Sequence, residues 1–258
     1  MSEETWKTGI TNVQPNEIRL RGYRVDELMG RISFSQAIFL ALTGELPDEK
    51  VGRLLDAILV ASVDHGPGAP SALAARTSAS TGAPANAAVA AGILSINRFH
   101  GAAISGCMQV VAEVVERTSD EHPVSEAAAE VVNEYMEEGR RLPGLGHRLH
   151  TEDPRTRRLF ALAEEWKQSG LGIEAILALQ IALAAEGKEL PINVDGAIGA
   201  VLYDLGLPIE LGNDFFIMAR VPGLFAQVHE EITRERPMRR IHPTDFEYDG
   251  PENRSLGD

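Results

Sequence analysis

Apolar, alanine-rich segments at helical spacing fill most of this 258-residue chain, and glycine or proline breaks them again and again. That pattern leaves little room for strands, and it puts the distinctive polar residues at the breaks. Asp64-His65-Gly66, Phe99-His100-Gly101, Pro143-Gly144-Leu145-Gly146-His147-Arg148, Asp153-Pro154-Arg155 and Asn193-Val194-Asp195-Gly196 are five such places. Helix ends leave backbone polar groups unsatisfied, so side chains there face clefts and carry chemistry. Histidines, an aspartate and arginines together suit acid–base work on a carbon acid beside an anionic substrate.

The helical reading rests on period and punctuation. Ser33 and Gln36 have capping-box spacing, which predicts a buried helix over 34–43 stopped by Gly44. Pro47-Asp48 opens the next, with Val51, Leu54, Leu55, Ile58 and Leu59 on one face. Residues 71–82 and 84–97 are small-residue segments that can pack closely. Further helices are expected at 102–117, 124–140, 155–168, 173–186, 196–205 and 210–233, with Pro222 kinking or splitting the last. The alternation in Glu17-Ile18-Arg19-Leu20-Arg21-Gly22-Tyr23 suggests a strand or extended arm. The expected class is therefore mainly α with a short extended N-terminal segment. No repeat or linker divides residues 1–258.

Composition narrows the function. Hydrophobic residues make up 44% and charged residues 24%, as in ordinary globular proteins. No apolar run reaches the ~18 residues of a membrane span. The start, Met-Ser-Glu-Glu-Thr-Trp, lacks the order of a signal peptide, and the single cysteine, Cys107, fits the cytoplasm and reads as a packed core thiol. A net charge of −14 argues against nucleic acid or an anionic membrane as partner. Positive charge is local instead: Arg140, Arg141, Arg148, Arg155, Arg157 and Arg158 form one stretch, Arg234, Arg236, Arg239 and Arg240 another. The plain reading of these arginines is solvated helix faces, which is favoured for Arg157 and Arg158, and the sharper one is an anion site. The histidines lack metal-ligand spacing and there is no Walker-type loop, so neither a metal nor ATP is expected.

Arg21-Gly22-Tyr23, Gly44-Glu45-Leu46-Pro47, the five breaks above and Glu235-Arg236-Pro237 together, in this order, resemble the citrate synthase superfamily. Full-length citrate synthases carry a long helical insert between Gly-Glu-Leu-Pro and Asp-His-Gly. Here only residues 48–63 intervene, which resembles citryl-CoA lyases and the lyase module of ATP-citrate lyase. The resemblance implies a two-lobed helical fold, with a larger lobe from 1–100 and 200–258 and a smaller one from 101–199.

It also implies roles. Asp195 would move the proton of the thioester methyl group, His100 would hydrogen-bond the enolate oxygen, and His147 would serve the oxaloacetate carbonyl or citryl hydroxyl. His65, Arg155 and Arg220 would hold the dicarboxylate. Arg236, or else Arg239 or Arg240, would reach a neighbouring subunit's site, so a homodimer or higher homo-oligomer is expected. Leu145, Gly146, Arg148 and Asn193, with His150, would lie near coenzyme A. The other histidines, His122, His229 and His242, are assigned no role. No cofactor would be held permanently, since the CoA thioester is a substrate. The implied activity is cleavage of citryl-CoA to acetyl-CoA and oxaloacetate. The alternatives are a synthase condensing an acyl-CoA with a 2-oxo acid, and a non-catalytic paralogue that only binds CoA or a dicarboxylate.

Overall fold

The computed structural model describes residues 6–97, 100–101, 103–147, 151–239 and 250. The chain divides into two compact units, residues 1–65 with 96–223, and residues 66–95 with 224–258.

The first unit begins with an antiparallel sheet of β1 (Thr11–Gln14), β2 (Glu17–Leu20) and β3 (Tyr23–Arg24), in that order. The expected extended arm is thus a paired meander, turned at Asn16 in the left-handed region and again at Arg21-Gly22. Arg21 ties it down, since its Nε and Nη2 donate to the Ala41 carbonyl at 3.1 and 2.8 Å. A one-turn helix α1 (Val25–Leu28) follows. Helix α2 (Phe34–Thr43) starts with the predicted capping box at Ser33 and Gln36 and ends at Gly44. Helix α3 (Glu49–Ser62) is capped by Asp48 and buries Leu54, Leu55 and Ile58.

The second unit pairs α4 (Pro70–Ser80) with α5 (Ala85–Leu94) through small residues. A methyl group at Gly92 would come within 2.9 Å of the Ser71 carbonyl oxygen, so the two helices nearly touch backbone to backbone. The buried Arg76 of α4 donates from Nε to Glu231 at 2.7 Å and from Nη1 to Gln227 at 2.6 Å.

The rest of the first unit is helical. It comprises α6 (Ala103–Arg117), α7 (Val124–Glu137), α8 (Pro154–Glu165), α9 (Leu171–Ala185) and α10 (Val194–Asp204). α10 packs on α6, α8 and α9 and is buried from Gly196 to Leu202. Its small residues Ala197, Gly199 and Ala200 admit that crowding, because a methyl at Gly199 would lie 3.0 Å from Cys107 Cβ. Asp204 at its far end accepts from the backbone N–H groups of Gly170, Gly172 and Ile173, which caps α9. After a short 3-10 turn at Ile209–Leu211 comes α11 (Gly212–Arg234), whose first part belongs to the first unit.

Pro222 does not split α11, which stays one 23-residue helix. Proline lacks the N–H that would bond the Met218 carbonyl. Burial of Phe215, Phe216, Ala219 and Arg220 on one side and of Leu224 and Val228 on the other outweighs that single lost bond.

Candidate active site

The first unit gathers the polar breaks at the start of α10. Asn193 caps this helix, its side-chain oxygen accepting from the Gly196 N–H at 3.0 Å. Asp195 is therefore not the cap. It sits in the first turn with its carboxylate free of that duty, where the helix dipole favours a negative charge.

The loop Pro143–His147 is laid along the segment before this helix. The Gly146 N–H donates to the Pro191 carbonyl at 2.7 Å, and the Asn193 N–H donates to the Gly144 carbonyl at 3.0 Å. The Asn193 side-chain amide donates to the Gly146 carbonyl at 2.8 Å. These bonds carry His147 to the same cavity as Asp195. The approach needs glycine on both sides: a methyl on Gly196 would lie 2.3 Å from the Gly144 carbonyl oxygen, and one on Gly144 would lie 2.7 Å from the Gly196 Cα.

Two arginines converge on the end of α3. Arg220 is buried, and its Nε donates to the Ser62 carbonyl at 2.9 Å. Arg155 Nη1 reaches the Ala61 carbonyl at 3.4 Å. Last-turn carbonyls are the negative end of the helix dipole, a suitable anchor for cations. The guanidinium of Arg220 also lies 4.6 Å over the ring of Phe216, and the ring of His100 meets Phe216 edge-on at 6.1 Å. Among the described residues the Nη1 of Arg220 is buried with no hydrogen-bond partner. Such an atom is costly unless an anion completes it.

A polar cavity of about 210 Å³ results, lined by His65, His100, His147, Arg155, Asp195 and Arg220 together with Ser62, Asn193 and Phe216. His65, His147, Asn193 and Asp195 also line a larger cleft of about 910 Å³. The larger cleft has apolar walls from Met136, Leu142, Leu145, Leu183 and Leu190, and cations at Arg140, Arg141 and Lys188. The two spaces meet at the candidate acid–base residues. A small polar acid fits one, and a long, mixed apolar and anionic group fits the other.

The electrostatics are uneven. Burial, then the nearby charges of Arg155 and Arg220, push the His65 imidazole below its ordinary value. Burial, then Arg220 and His65, does the same to His100. Burial pushes the Asp195 carboxyl up, against the pull of Arg155 and Arg220. Burial also lowers the Arg220 guanidinium, with Asp64 and Asp195 opposing. The site therefore holds neutral imidazoles and a carboxyl that binds its proton more tightly than usual.

Of the residues singled out from sequence, His65, His100, His147, Asp195, Arg155, Arg220 and Asn193 line the polar cavity, and Leu145 and Gly146 line the cleft. Arg148, His150, Arg240 and His242 lie outside the described residues. Arg236 is exposed after α11, in the second unit. Arg239 donates from Nε and Nη2 to the buried carboxylate of Glu231 at 2.5 and 2.6 Å. Arg157 pairs with Glu152 on the surface, as a solvated face would. Cys107 is buried, with its thiol pushed up to about 12. Tyr135, Lys188 and Leu190 were not legible as site residues. Only the clustering of Arg140 and Arg141 beside the glycine loop signalled a cationic rim.

Among the described residues no group of three or more His, Cys, Asp or Glu side chains is placed to hold a metal ion, and no helix is long and apolar enough to cross a membrane.

Comparison with known proteins gives a consistent picture. The structure matches the citryl-CoA lyase from Hydrogenobacter thermophilus with a TM-score of 0.89 and 41% identity, covering 98% of this chain and 97% of that one. The ATP citrate lyase of Methanosaeta concilii, solved with (3S)-citryl-CoA, shares the fold at a TM-score of 0.81 and 22% identity, over 97% of this chain and 42% of its own. A citrate synthase from Haloferax volcanii is 30% identical over 209 residues, or 77% of this chain. The chain spans about half the length of that synthase, 51%. Residues 47–243, which hold every cavity residue from His65 to Arg220, match the family described as citrate synthase, C-terminal domain, and the chain belongs to the citrate synthase family.

Proposed function

We propose that this chain is a citryl-CoA lyase, cleaving citryl-CoA to acetyl-CoA and oxaloacetate. The observation that carries the reading is the end-to-end match, at 41% identity, to a citryl-CoA lyase of nearly the same length. The two adjoining spaces support it. The polar cavity suits the oxaloacetate half, with Arg155, Arg220 and His65 at its carboxylates. The cleft suits the CoA half, with Leu145, Gly146 and Asn193 joined by the rim of Arg140, Arg141 and Lys188.

In cleavage His147 takes up the proton of the citryl hydroxyl as the carbon–carbon bond breaks and the ketone forms. The electron pair moves into the thioester, where His100 meets the developing enolate oxygen. Asp195 then gives a proton to the methylene carbon, yielding the acetyl group. A carboxyl with its affinity for protons raised by burial suits that donation. CoA is bound as part of the substrate, and no resident cofactor enters the scheme.

The reading extends to a homo-oligomer in which Arg236 serves a neighbouring site, to closure between lobes of 1–100 with 200–258 and 101–199, and to a cytoplasmic place of work. A second reading, condensation of an acyl-CoA with a 2-oxo acid, is favoured by His100 lining the cavity.

Incubation with citryl-CoA separates the two. Acetyl-CoA and oxaloacetate without citrate establish the lyase, whereas citrate with free CoA establishes synthase-like hydrolysis. Turnover that survives Asp195→Asn overturns the acid–base scheme in either case.

A further inference from the structure

Asp153 carries a carboxylate that none of the roles above uses. Its side chain is fully buried. One oxygen, Oδ1, accepts from Arg155 Nε at 3.0 Å and from the Arg155 backbone N–H at 3.0 Å. The other, Oδ2, accepts from Arg155 Nη2 at 2.7 Å. Pro154 lies between the two residues and fixes the backbone of the turn. Thr156 adds a third tie, its hydroxyl donating to the Ile192 carbonyl at 3.1 Å, directly before Asn193.

The count of donors is decisive. A guanidinium has five N–H bonds in one plane. Asp153 takes one from Nε and one from Nη2, and the Ala61 carbonyl takes one from Nη1. One N–H remains on Nη1 and one on Nη2. With the Ala61 carbonyl on the Nη1 hydrogen of the Cδ side, the two left over form the outer edge of the fork, the arrangement that a second carboxylate accepts two at a time. Without Asp153 the same guanidinium could rotate about its long side chain and present any edge, at an entropic cost on binding.

We propose that Asp153 is a positioning residue: by closing on the Nε–Nη2 edge of Arg155 it leaves the Nη1–Nη2 edge as the one face offered to a substrate carboxylate in the polar cavity. Asp153 also balances the charge of Arg155, while Arg220 keeps a buried Nη1 with no hydrogen-bond partner among the described residues as a donor for the anion. The inference rests on the reading that this cavity takes a dicarboxylate.

Asp153→Asn tests it, because asparagine caps a helix as well as aspartate does and α8 keeps its start. Calorimetry with oxaloacetate and, separately, with CoA is the readout, together with KM and kcat for citryl-CoA. We expect oxaloacetate affinity to fall roughly tenfold or more, the scale of a charge-assisted hydrogen bond. CoA affinity should not change, and KM should rise by more than kcat falls. In an Arg155→Lys background Asp153→Asn should add nothing. Unchanged oxaloacetate affinity in Asp153→Asn overturns the proposal.

A second measurement covers other outcomes. In wild-type protein with ¹⁵N-labelled arginine, the Arg155 Nε–H signal, assigned by its absence in Arg155→Lys, should be protected from exchange. If the wild type binds neither oxaloacetate nor citrate, the reading of the cavity falls. The proposal, which rests on that reading, falls with it; if instead Asp153→Asn does not fold, the Nε–H signal decides. Protection sustains the positioning role, and its absence overturns it.

Discussion

Gly144 and Gly146 offer a controlled test of how the loop bearing His147 is held. Both have positive φ, +84° and +93°, so an alanine at either position is strained by about 1–2 kcal/mol. Their surroundings differ. Among the described residues a methyl on Gly146 would meet only Leu190, at 3.7 Å, an ordinary contact. A methyl on Gly144 would lie 2.7 Å from the Gly196 Cα and 2.8 Å from Cys107 Sγ, inside contact distance of a backbone that cannot rotate away. Overpacking of that kind adds about 1–3 kcal/mol. Gly146→Ala should therefore cost about 1–2 kcal/mol and Gly144→Ala about 2–5 kcal/mol. At roughly 2–4 °C per kcal/mol for a chain of this size, the second variant should melt several degrees below the first. Thermal denaturation by circular dichroism measures the difference. Gly144→Ala should also lose far more activity, because relief of the clash moves the loop off Asn193 and carries His147 away from Asp195. Equal melting temperatures would refute the argument, since strain alone would then explain both variants.

Three further outcomes are expected. Glu231→Gln leaves Arg76 and Arg239 facing a neutral amide in a buried setting, and should cost about 3–5 kcal/mol by urea denaturation. Arg239 and then Arg76 hold the Glu231 carboxyl below its ordinary value of 4.5, so its stabilisation is present above that pH and is lost as pH falls through the lowered value. The wild type should thus lose stability with acid below about pH 4.5 more steeply than Glu231→Gln, and equal slopes would count against the pairing. Burial, with Arg220 beside them, keeps His65 and His100 neutral to below pH 6.5, so the acid limb of a kcat/KM profile should lie below that value. A limb centred higher would mean that one of them is charged in the working enzyme. Cys107, with its thiol near 12, should resist iodoacetamide in the native protein and react only after denaturation.

The helices were legible because their signals are local. The Ser33–Gln36 box and Asp48 each satisfy orphan N–H groups within three residues and begin a helix where the pattern places it, whereas Asn193 starts α10 at Val194, two residues before the expected 196. The N-terminal meander was half legible: alternation in β2 marked an extended strand, but its partners are short and exposed, and pairing leaves no periodic trace in them. Pro222 does not end α11, because proline's cost is intrinsic while the packing that offsets it comes from elsewhere in the chain. In the site, six polar residues of the glycine and proline breaks, His65, His100, His147, Arg155, Asn193 and Asp195, come to one cavity, joined by Arg220, which the resemblance pointed to. Lys188, Tyr135 and Leu190 could not be, since nothing local distinguishes a lysine beside a helix end from a surface one. Asp153 was visible only as part of the break before the expected helix at 155–168. Its grip on Arg155 depends on side-chain geometry that spacing alone does not give.

A chain with net charge −14 must still bind a substrate that carries several negative charges. Distant acidic residues matter little, because salt screens exposed charges beyond about 8 Å. Local cations decide the outcome, and the two in the cavity are held differently. Arg220 is anchored by a neutral carbonyl and stacked on Phe216, and its burial stays unfavourable despite the nearby charges of Asp64 and Asp195, so an arriving anion is favoured there. Arg155 is balanced by Asp153, so it contributes direction more than net charge. A site made of two balanced pairs would bind an anion weakly, and two unbalanced buried arginines would destabilise the fold. One of each gives attraction from Arg220 and alignment from Arg155. Neutralising Arg220 should therefore weaken dicarboxylate binding in a strongly salt-dependent way, while neutralising Asp153 should weaken it with the salt dependence nearly intact.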